Sequence, residues 1–234
     1  MTRAREVKRE DNPDLYRIVE NLCIGAGLPL PKIYIIDEAQ PNAFATGRDP
    51  EHAVVAVTKG LLEKLEKSEL EGVIAHELAH IGNRDILLQT VVVVLVAVIG
   101  LLSEWFLRMS RFATFRKREK EKEGTALIFL LFGILAAIFA PLVAQIIRFA
   151  ISRKREFLAD ATGALITRYP EGLARALEKI SADPNQMKVA TSFNAHLFIV
   201  NPFRGEVKTS WFTKLFSTHP PIEERIKALR EMSL

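Results

Sequence analysis

Two histidines and one glutamate, His76, Glu77 and His80, fall at a spacing that can bind a metal ion and use it. They lie in a stretch, 70–88, whose apolar residues recur at helical intervals. Residues at i and i+4 share one face of a helix, so both imidazoles can reach a single ion. Glu77 lies about 100° further round, near the ion but not directed at it, where a general base belongs. This His-Glu-x-x-His spacing is typical of zinc-dependent peptidases.

A catalytic zinc site also needs a third protein ligand and an open fourth position for water. Glu156 and Asp160 are the strongest candidates, because they are spaced i, i+4 in a second predicted helix and share a face. One carboxylate can bind the ion while the other accepts a hydrogen bond from a ligating imidazole. The spacing alone leaves open that both acids merely balance Arg153 and Arg155 on an exposed face. Three more histidines could reach a metal: His52, His196 and His219.

Five separate motifs of the chain match the pattern of one protein family. They are Glu-Gly-Val-Ile-Ala-His-Glu-Leu-Ala-His-Ile-Gly-Asn-Arg-Asp at 71–85, Arg-Glu-Phe-Leu-Ala-Asp at 155–160, Asn-Ala-Phe-Ala-Thr-Gly at 42–47, and blocks at 196–202 and 217–226. Together they resemble the HtpX heat-shock membrane proteases, relatives of the CAAX prenyl proteases, over about residues 15–229. The resemblance implies one Zn²⁺ per chain, with Glu156 as its third ligand and Asp160 as the companion that supports the site.

The family usually carries a hydrophobic hairpin ahead of the region where this chain begins. Here the chain begins with a charged segment, 2–11, that cannot insert into a membrane. The sequence leaves open whether this is a short form or a piece of a longer protein.

Local patterns predict an α+β, mainly helical fold. We expect a helix over 12–25 capped by Asn12 or Asp11, strands at 33–36, 43–46 and 53–57, and a helix capped by Thr58. A capping box of Ser68 and Glu71 should open the metal-binding helix. With the family resemblance, this becomes a single zincin-like metalloprotease domain over 1–234, with a small sheet and an inserted pair of transmembrane helices.

The inserted pair is predicted from the segregation of apolar and charged residues. Hydrophobic residues make up 49% of the chain and charged residues 26%, yet 86–103 and 125–147 carry no charge. A span needs about 20 apolar residues, and Trp105 and Phe106 resemble interfacial aromatics, so we expect spans at about 86–107 and 125–147. The alternative is two buried helices of a soluble protein, which 234 residues can hardly cover.

The metal-binding residues lie close to both apolar stretches along the chain. We therefore expect both metal-binding helices to continue directly into the membrane, with the metal roughly 10 Å outside the hydrocarbon edge. Asn83, Arg84 and Asp85 should remain near water, which argues against a site inside the bilayer. Basic residues flank the apolar stretches on both the loop side and the catalytic side, so the positive-inside rule hardly favours one orientation. The family resemblance favours a multi-pass protein of the cell membrane with a cytoplasmic catalytic domain.

Substrate binding is predicted for the strand that contains Asn42, Ala43, Phe44 and Ala45. Zinc peptidases often bind substrate as an added strand at a sheet edge, although these residues also fit an ordinary structural strand. His219, in a Thr-His-Pro-Pro turn, could reach the open metal position or the oxyanion, and Arg225 in the next helix could stabilise the oxyanion as a fixed cation.

The sequence thus predicts a zinc-dependent endopeptidase that hydrolyses membrane or misfolded proteins at the membrane surface, in quality control under stress. The alternative is a catalytically silent, zinc-bound membrane scaffold. The net charge of +4 suits a surface of anionic lipid, and polypeptides and the bilayer are the expected partners. Alternating charges argue against nucleic acid, no phosphate-binding loop suggests a nucleotide, and a single cysteine excludes an intrachain disulfide.

Overall fold

The computed structural model describes residues 4–116, 123–184 and 220–233. The chain divides into two units, a larger one formed by Met1–Leu88 with Ser152–Leu234 and a smaller one formed by Gln89–Ile151. Two long helices, α4 (Asp85–Arg116) and α5 (Glu123–Thr167), contribute to both units.

The larger unit combines a small sheet with packed helices. Its remaining elements are β1 (Arg5–Glu6), α1 (Pro13–Ala26), β2 (Lys32–Ile36), β3 (Ala43–Thr46), β4 (Val54–Thr58), α2 (Lys59–Lys64), α3 (Lys67–Gly82), α6 (Pro170–Ser181) and α7 (Ile222–Arg230). The predicted α+β, mainly helical fold is therefore confirmed. The three predicted strands are also confirmed to within one residue, whereas β1 was not predicted because two exposed residues carry no periodic signal.

The sheet has the strand order β1-β2-β4-β3, with β2 and β4 parallel and the other two pairs antiparallel. In the described residues, β3 is therefore an edge strand. The Thr58 hydroxyl fixes where β3 begins, because it donates to the Gln40 carbonyl at 2.8 Å and accepts from the Asn42 N–H at 2.9 Å. The same oxygen accepts from the Leu61 N–H, so Thr58 caps α2 as predicted.

The metal-binding helix α3 begins one residue before the predicted capping box. Its N-terminal box consists of Glu66 and Glu69, and the prediction of Ser68 and Glu71 is wrong. The Glu69 carboxylate accepts from the Glu66 N–H at 2.8 Å, and Lys179 of α6 holds the same carboxylate at 2.7 Å. The contact with α6 thus favours the capping box of Glu66 and Glu69 over the overlapping one of Ser68 and Glu71.

Helix α3 is buried on nearly every side, not on the apolar stripe alone. It packs against α1, α6 and β3, so even His76 and Glu77 retain exposed fractions of only 1% and 2%. Polar groups at such depth need partners or a function, since burying them unpaired is costly.

Helix α3 ends at Gly82, and α4 begins at Asp85. The predicted single helix over 70–88 is therefore wrong, as is its direct continuation toward the first apolar stretch. Arg84 lies between the two helices with a φ of +54°, a left-handed conformation that redirects the chain. The turn also buries Asp85 to an exposed fraction of 1%, so its expected place near water is wrong. Helix α5, by contrast, is continuous through Glu156.

The smaller unit consists of apolar helix. By length and composition, two helical segments of the described chain could cross a membrane, Asp85–Phe106 with mean hydropathy 2.8 and Gly133–Thr167 with 2.2. Both segments overlap the spans predicted at about 86–107 and 125–147. Large apolar side chains of this unit are exposed, among them Leu95, Leu101, Trp105, Ile138 and Phe139.

Candidate metal centre

Three predicted ligand atoms converge on one point between α3 and α5. The Nε2 atoms of His76 and His80 are 3.1 Å apart. The Glu156 carboxylate oxygens lie 3.6 Å from His80 Nε2 and 3.9 Å from His76 Nε2. Ligands at 2.0–2.1 Å from a tetrahedral zinc ion are separated from one another by about 3.3 Å. The observed separations bracket that value, so this donor set can hold one zinc ion.

The other nitrogen of each imidazole faces a buried carboxylate. His76 Nδ1 lies 2.9 Å from Asp160, though not in ideal hydrogen-bond alignment, and His80 Nδ1 lies 2.7 Å from Asp85. A carboxylate at Nδ1 favours the tautomer with its proton there, which leaves a lone pair on Nε2. Two lone pairs 3.1 Å apart repel each other unless a proton or a metal ion lies between them. The donor chemistry therefore fits a metal ion.

Burial alone would lower the pKa of His80, but the hydrogen bond to Asp85 and the charges of Glu156 and Glu77 raise it to about 9. A cation that binds Nε2 must therefore displace a proton near neutral pH. Metal binding should weaken as the pH falls below this value.

A close approach of α5 to α3 sets the distance between the ligands. A Cβ atom added to Gly163 would lie 2.9 Å from the backbone nitrogen of His76, so no larger residue fits without a shift. Sequence reasoning missed this glycine. The signal was present, because Gly163 falls three residues after Asp160 and seven after Glu156, on the same face of α5.

Arg225 of α7 lies beneath the ligands and is fully buried. Its guanidinium donates to both oxygens of Asp160, at 2.8 and 2.6 Å, and lies 3.4 Å from Glu156. The guanidinium also lies 3.4 Å from His76 Nε2, and its role in binding an oxyanion stays a prediction. In this position Arg225 balances the charge of Asp160 and Glu156, as buried acids require.

Glu77 is buried beside the ligands and close to the edge strand. Burial raises its pKa, while the charges of His76 and His80 and a hydrogen bond from the backbone N–H of Ala45 oppose this effect. A carboxylate with a raised pKa is suited to take a proton and return it near neutral pH. The bond from Ala45 also ties the carboxylate to β3.

The side chains of the predicted substrate strand are buried and do not line an open surface. Asn42 is fully buried, and its side chain accepts from the Ala43 N–H at 3.1 Å, so it supports the strand itself. Phe44 packs on the sheet face with Ile36 and Ala56. A groove opens beyond the end of β3, lined by Gly47, Arg48, Pro50, His80, Ile81 and Leu87.

The other histidines do not join the three-ligand cluster in the described residues. His52 lies in the loop between β3 and β4, where its Nδ1 is 2.6 Å from Asp49 and its Nε2 is 2.8 Å from Arg48. His196 and His219 lie outside the described residues.

Comparisons with known proteins give a consistent family. Residues 9–233 match the family model described as "Peptidase family M48". The protease HtpX homolog of Dictyoglomus turgidum is 51% identical over 229 residues, covering 98% of this chain and 72% of the relative. The homolog of Thermococcus sibiricus is 47% identical over 233 residues, covering 99% and 77%.

A solved structure shares the fold. The crystal structure of S. mikatae Ste24p superimposes with a TM-score of 0.63 at 22% identity, covering 97% of this chain and 52% of that chain. This chain thus spans about half the length of Ste24p. Together with the sequence relatives, the match over residues 9–233 establishes that the chain belongs to peptidase family M48, as a protease of the HtpX type.

Proposed function

We propose that this chain is a zinc-dependent endopeptidase that cleaves membrane or misfolded proteins at the membrane surface, in proteolytic quality control under stress. The observation that carries the proposal is the convergence of His76, His80 and Glu156, with ligand atoms all within 4.8 Å of one another and Glu77 buried beside them. Because the chain belongs to a peptidase family, we infer that the reaction at this site is the hydrolysis of a peptide bond.

His76 and His80 would hold the ion through Nε2, and Glu156 through its carboxylate. When bound, a zinc ion supplies a Lewis acid that polarises the scissile carbonyl and makes a water molecule acidic. Glu77 takes a proton from the attacking water and then gives one to the leaving amine. Asp160 and Arg225 keep His76 and Glu156 in place, and the buried surroundings strengthen these electrostatic interactions.

Substrate would bind as an added strand along the free edge of β3. The Asn42 carbonyl accepts from the Thr58 N–H of β4 at 3.0 Å. Because hydrogen bonding alternates along a strand, the backbone groups of Ala43 and Ala45 point away from β4. Their N–H groups donate to Asn42 and Glu77, so their carbonyls would accept from the N–H groups of a substrate strand. Main-chain pairing there would tolerate many sequences, as a quality-control protease needs.

A series of peptide substrates, each with a single N-methylated amide, tests this binding mode. We expect KM to rise about 3- to 10-fold at alternate positions near the cleaved bond, because each loss of a hydrogen bond costs about 1 kcal/mol. Methylation at the positions between them should leave KM unchanged. A rise that does not alternate would contradict strand addition.

The apolar helices would anchor the enzyme in the cell membrane. Leu101 and Trp105 have exposed fractions of 66% and 61%, and exposed apolar surface along a whole helix calls for lipid. The chain would then be a multi-pass protein, and the resemblance to the HtpX proteases supports a cytoplasmic catalytic domain. Membrane proteins whose segments emerge at the surface would be its substrates.

Metal removal distinguishes the enzyme from a silent, zinc-bound scaffold. We expect a chelator such as 1,10-phenanthroline to abolish casein cleavage by the detergent-purified protein while its circular dichroism spectrum remains that of a folded chain. One equivalent of Zn²⁺ should restore activity, because metal at a catalytic site serves the reaction. Unfolding on chelation, with no cleavage before it, would instead identify a structural ion.

A further inference from the structure

Each histidine of the metal centre faces a carboxylate that is in turn held by an arginine. His76 faces Asp160, which is held by Arg225. His80 faces Asp85, which is held by Arg155. The i, i+4 spacing of Glu156 and Asp160 anticipated the first set of contacts. The second set, through Asp85 and Arg155, was not predicted and has no role in the function proposed above.

Asp85 is built into the site as firmly as Asp160 is. Its exposed fraction is 1%, one carboxylate oxygen lies 2.7 Å from His80 Nδ1, and the other pairs with the Arg155 guanidinium. A buried carboxylate is tolerated when a cation and hydrogen bonds satisfy it. Here those partners also determine which way the carboxylate points, and it points at the imidazole.

Arg155 contacts the end of α3 as well as Asp85. Its guanidinium donates to the Asn83 carbonyl at 2.7 Å, and Asn83 is the C-cap residue that directly follows the helix. The last carbonyls of a helix lack partners within it, so helix ends are prone to fray. His80 lies only two residues before the last helical residue, Gly82, whereas His76 lies a full turn further in. His80 therefore depends more on contacts from outside the helix.

We propose that Asp85 and Arg155 are positioning residues that fix the tautomer and ring orientation of His80 and thereby set the affinity of the site for zinc. The inference depends on the proposed zinc site. Arg155 directly precedes Glu156, so one short segment of α5 carries both the ligand Glu156 and the residue that positions His80 through Asp85. Asp85 acts through His80 and touches neither the ion nor the peptide.

The test compares the variants Asp85→Asn and Arg155→Gln with the wild type in zinc titrations against a competing chelator. We expect zinc affinity to fall 10- to 100-fold in Asp85→Asn, the usual effect of losing an outer partner of a ligating histidine. Arg155→Gln should show a fall of about 3- to 10-fold, because the Asp85 carboxylate remains. The visible spectrum of the cobalt-substituted protein should change in both variants, since it reports ligand geometry.

Asp183→Asn serves as the matched control. Asp183 is also a buried carboxylate, exposed to 8%, and accepts from Lys64 at 2.6 Å outside the metal centre. We expect this variant to melt at a lower temperature with unchanged zinc affinity and an unchanged cobalt spectrum. If Asp85→Asn and Arg155→Gln behave in the same way, the pair is merely structural and the proposal is overturned.

Two other outcomes can be distinguished from a merely structural role of Asp85 and Arg155. If Asp85→Asn does not fold, Arg155→Gln decides, because the Arg155 side chain is partly exposed, at 21%, and the Gln amide can still donate a hydrogen bond to Asp85. If the wild type itself takes up no zinc, the proposed function fails and this inference fails with it. Stoichiometric zinc in the wild type with no loss of affinity in the variants refutes the inference alone.

Discussion

Replacing Glu77 with Gln is expected to lower kcat by about 10²- to 10⁴-fold, the range that a general base contributes, while zinc content stays at one ion per chain. The amide has nearly the shape of the carboxylate but cannot take a proton from water. The hydrogen bond from the Ala45 N–H can persist, because the amide oxygen still accepts it. Cleavage of casein and metal content should be measured on the same preparation.

Glu69→Gln is the matched control for this variant. Glu69 lies on the same helix and is equally buried, at 2%, but it caps α3 and pairs with Lys179 away from the ligands. We expect this variant to lose some stability and to keep its turnover number. Loss of zinc together with activity in Glu77→Gln would make Glu77 a ligand. Turnover near that of the wild type would exclude it as the base.

The two pairs of candidate site residues were predictable because the pattern of each pair is local. His76 and His80 occupy one helix, Glu156 and Asp160 another, and the i, i+4 spacing places each pair on one face. Spacing on each helix could not show that the two faces meet. The family resemblance supplied that step, and the close approach at Gly163 is its physical basis.

Asp85 could not be found by spacing, since it follows a turn that is not helical. The left-handed Arg84 interrupts the helix, and Asp85 then lies against the His80 imidazole. Only a break in the helix makes this contact, whereas the sequence pattern favoured an unbroken helix. The expectation that Asp85 lies near water failed for the same reason.

Other parts of the fold depend on residues far apart in the chain. The edge position of β3 follows from the parallel pairing of β2 with β4, which places β4 between the two strands. The true cap of α3 depends on Lys179, more than a hundred residues beyond Glu69. Local propensity carries neither kind of information, so the strands were predicted but their order was not.

Replacing Glu156 with Ala is expected to remove the third ligand and with it both zinc binding and activity. We expect zinc affinity to fall more than about 100-fold, beyond the 10- to 100-fold loss expected for Asp160→Asn, which keeps all three ligands but loses the partner of His76. A ligand that binds the folded state alone raises its melting temperature. Added Zn²⁺ should therefore stabilise the wild type against heat and have no effect on Glu156→Ala.

The order of these affinities is the informative result, because it separates a residue that binds the ion from one that orients a ligand. Glu178→Ala, on the exposed face of α6, should bind zinc as the wild type does and serves as the control. If Glu156→Ala retained the affinity of the wild type, the third ligand would lie elsewhere, with His196 and His219 as the first residues to test. The same result would leave Glu156, at 3.4 Å from Arg225, with an electrostatic role only.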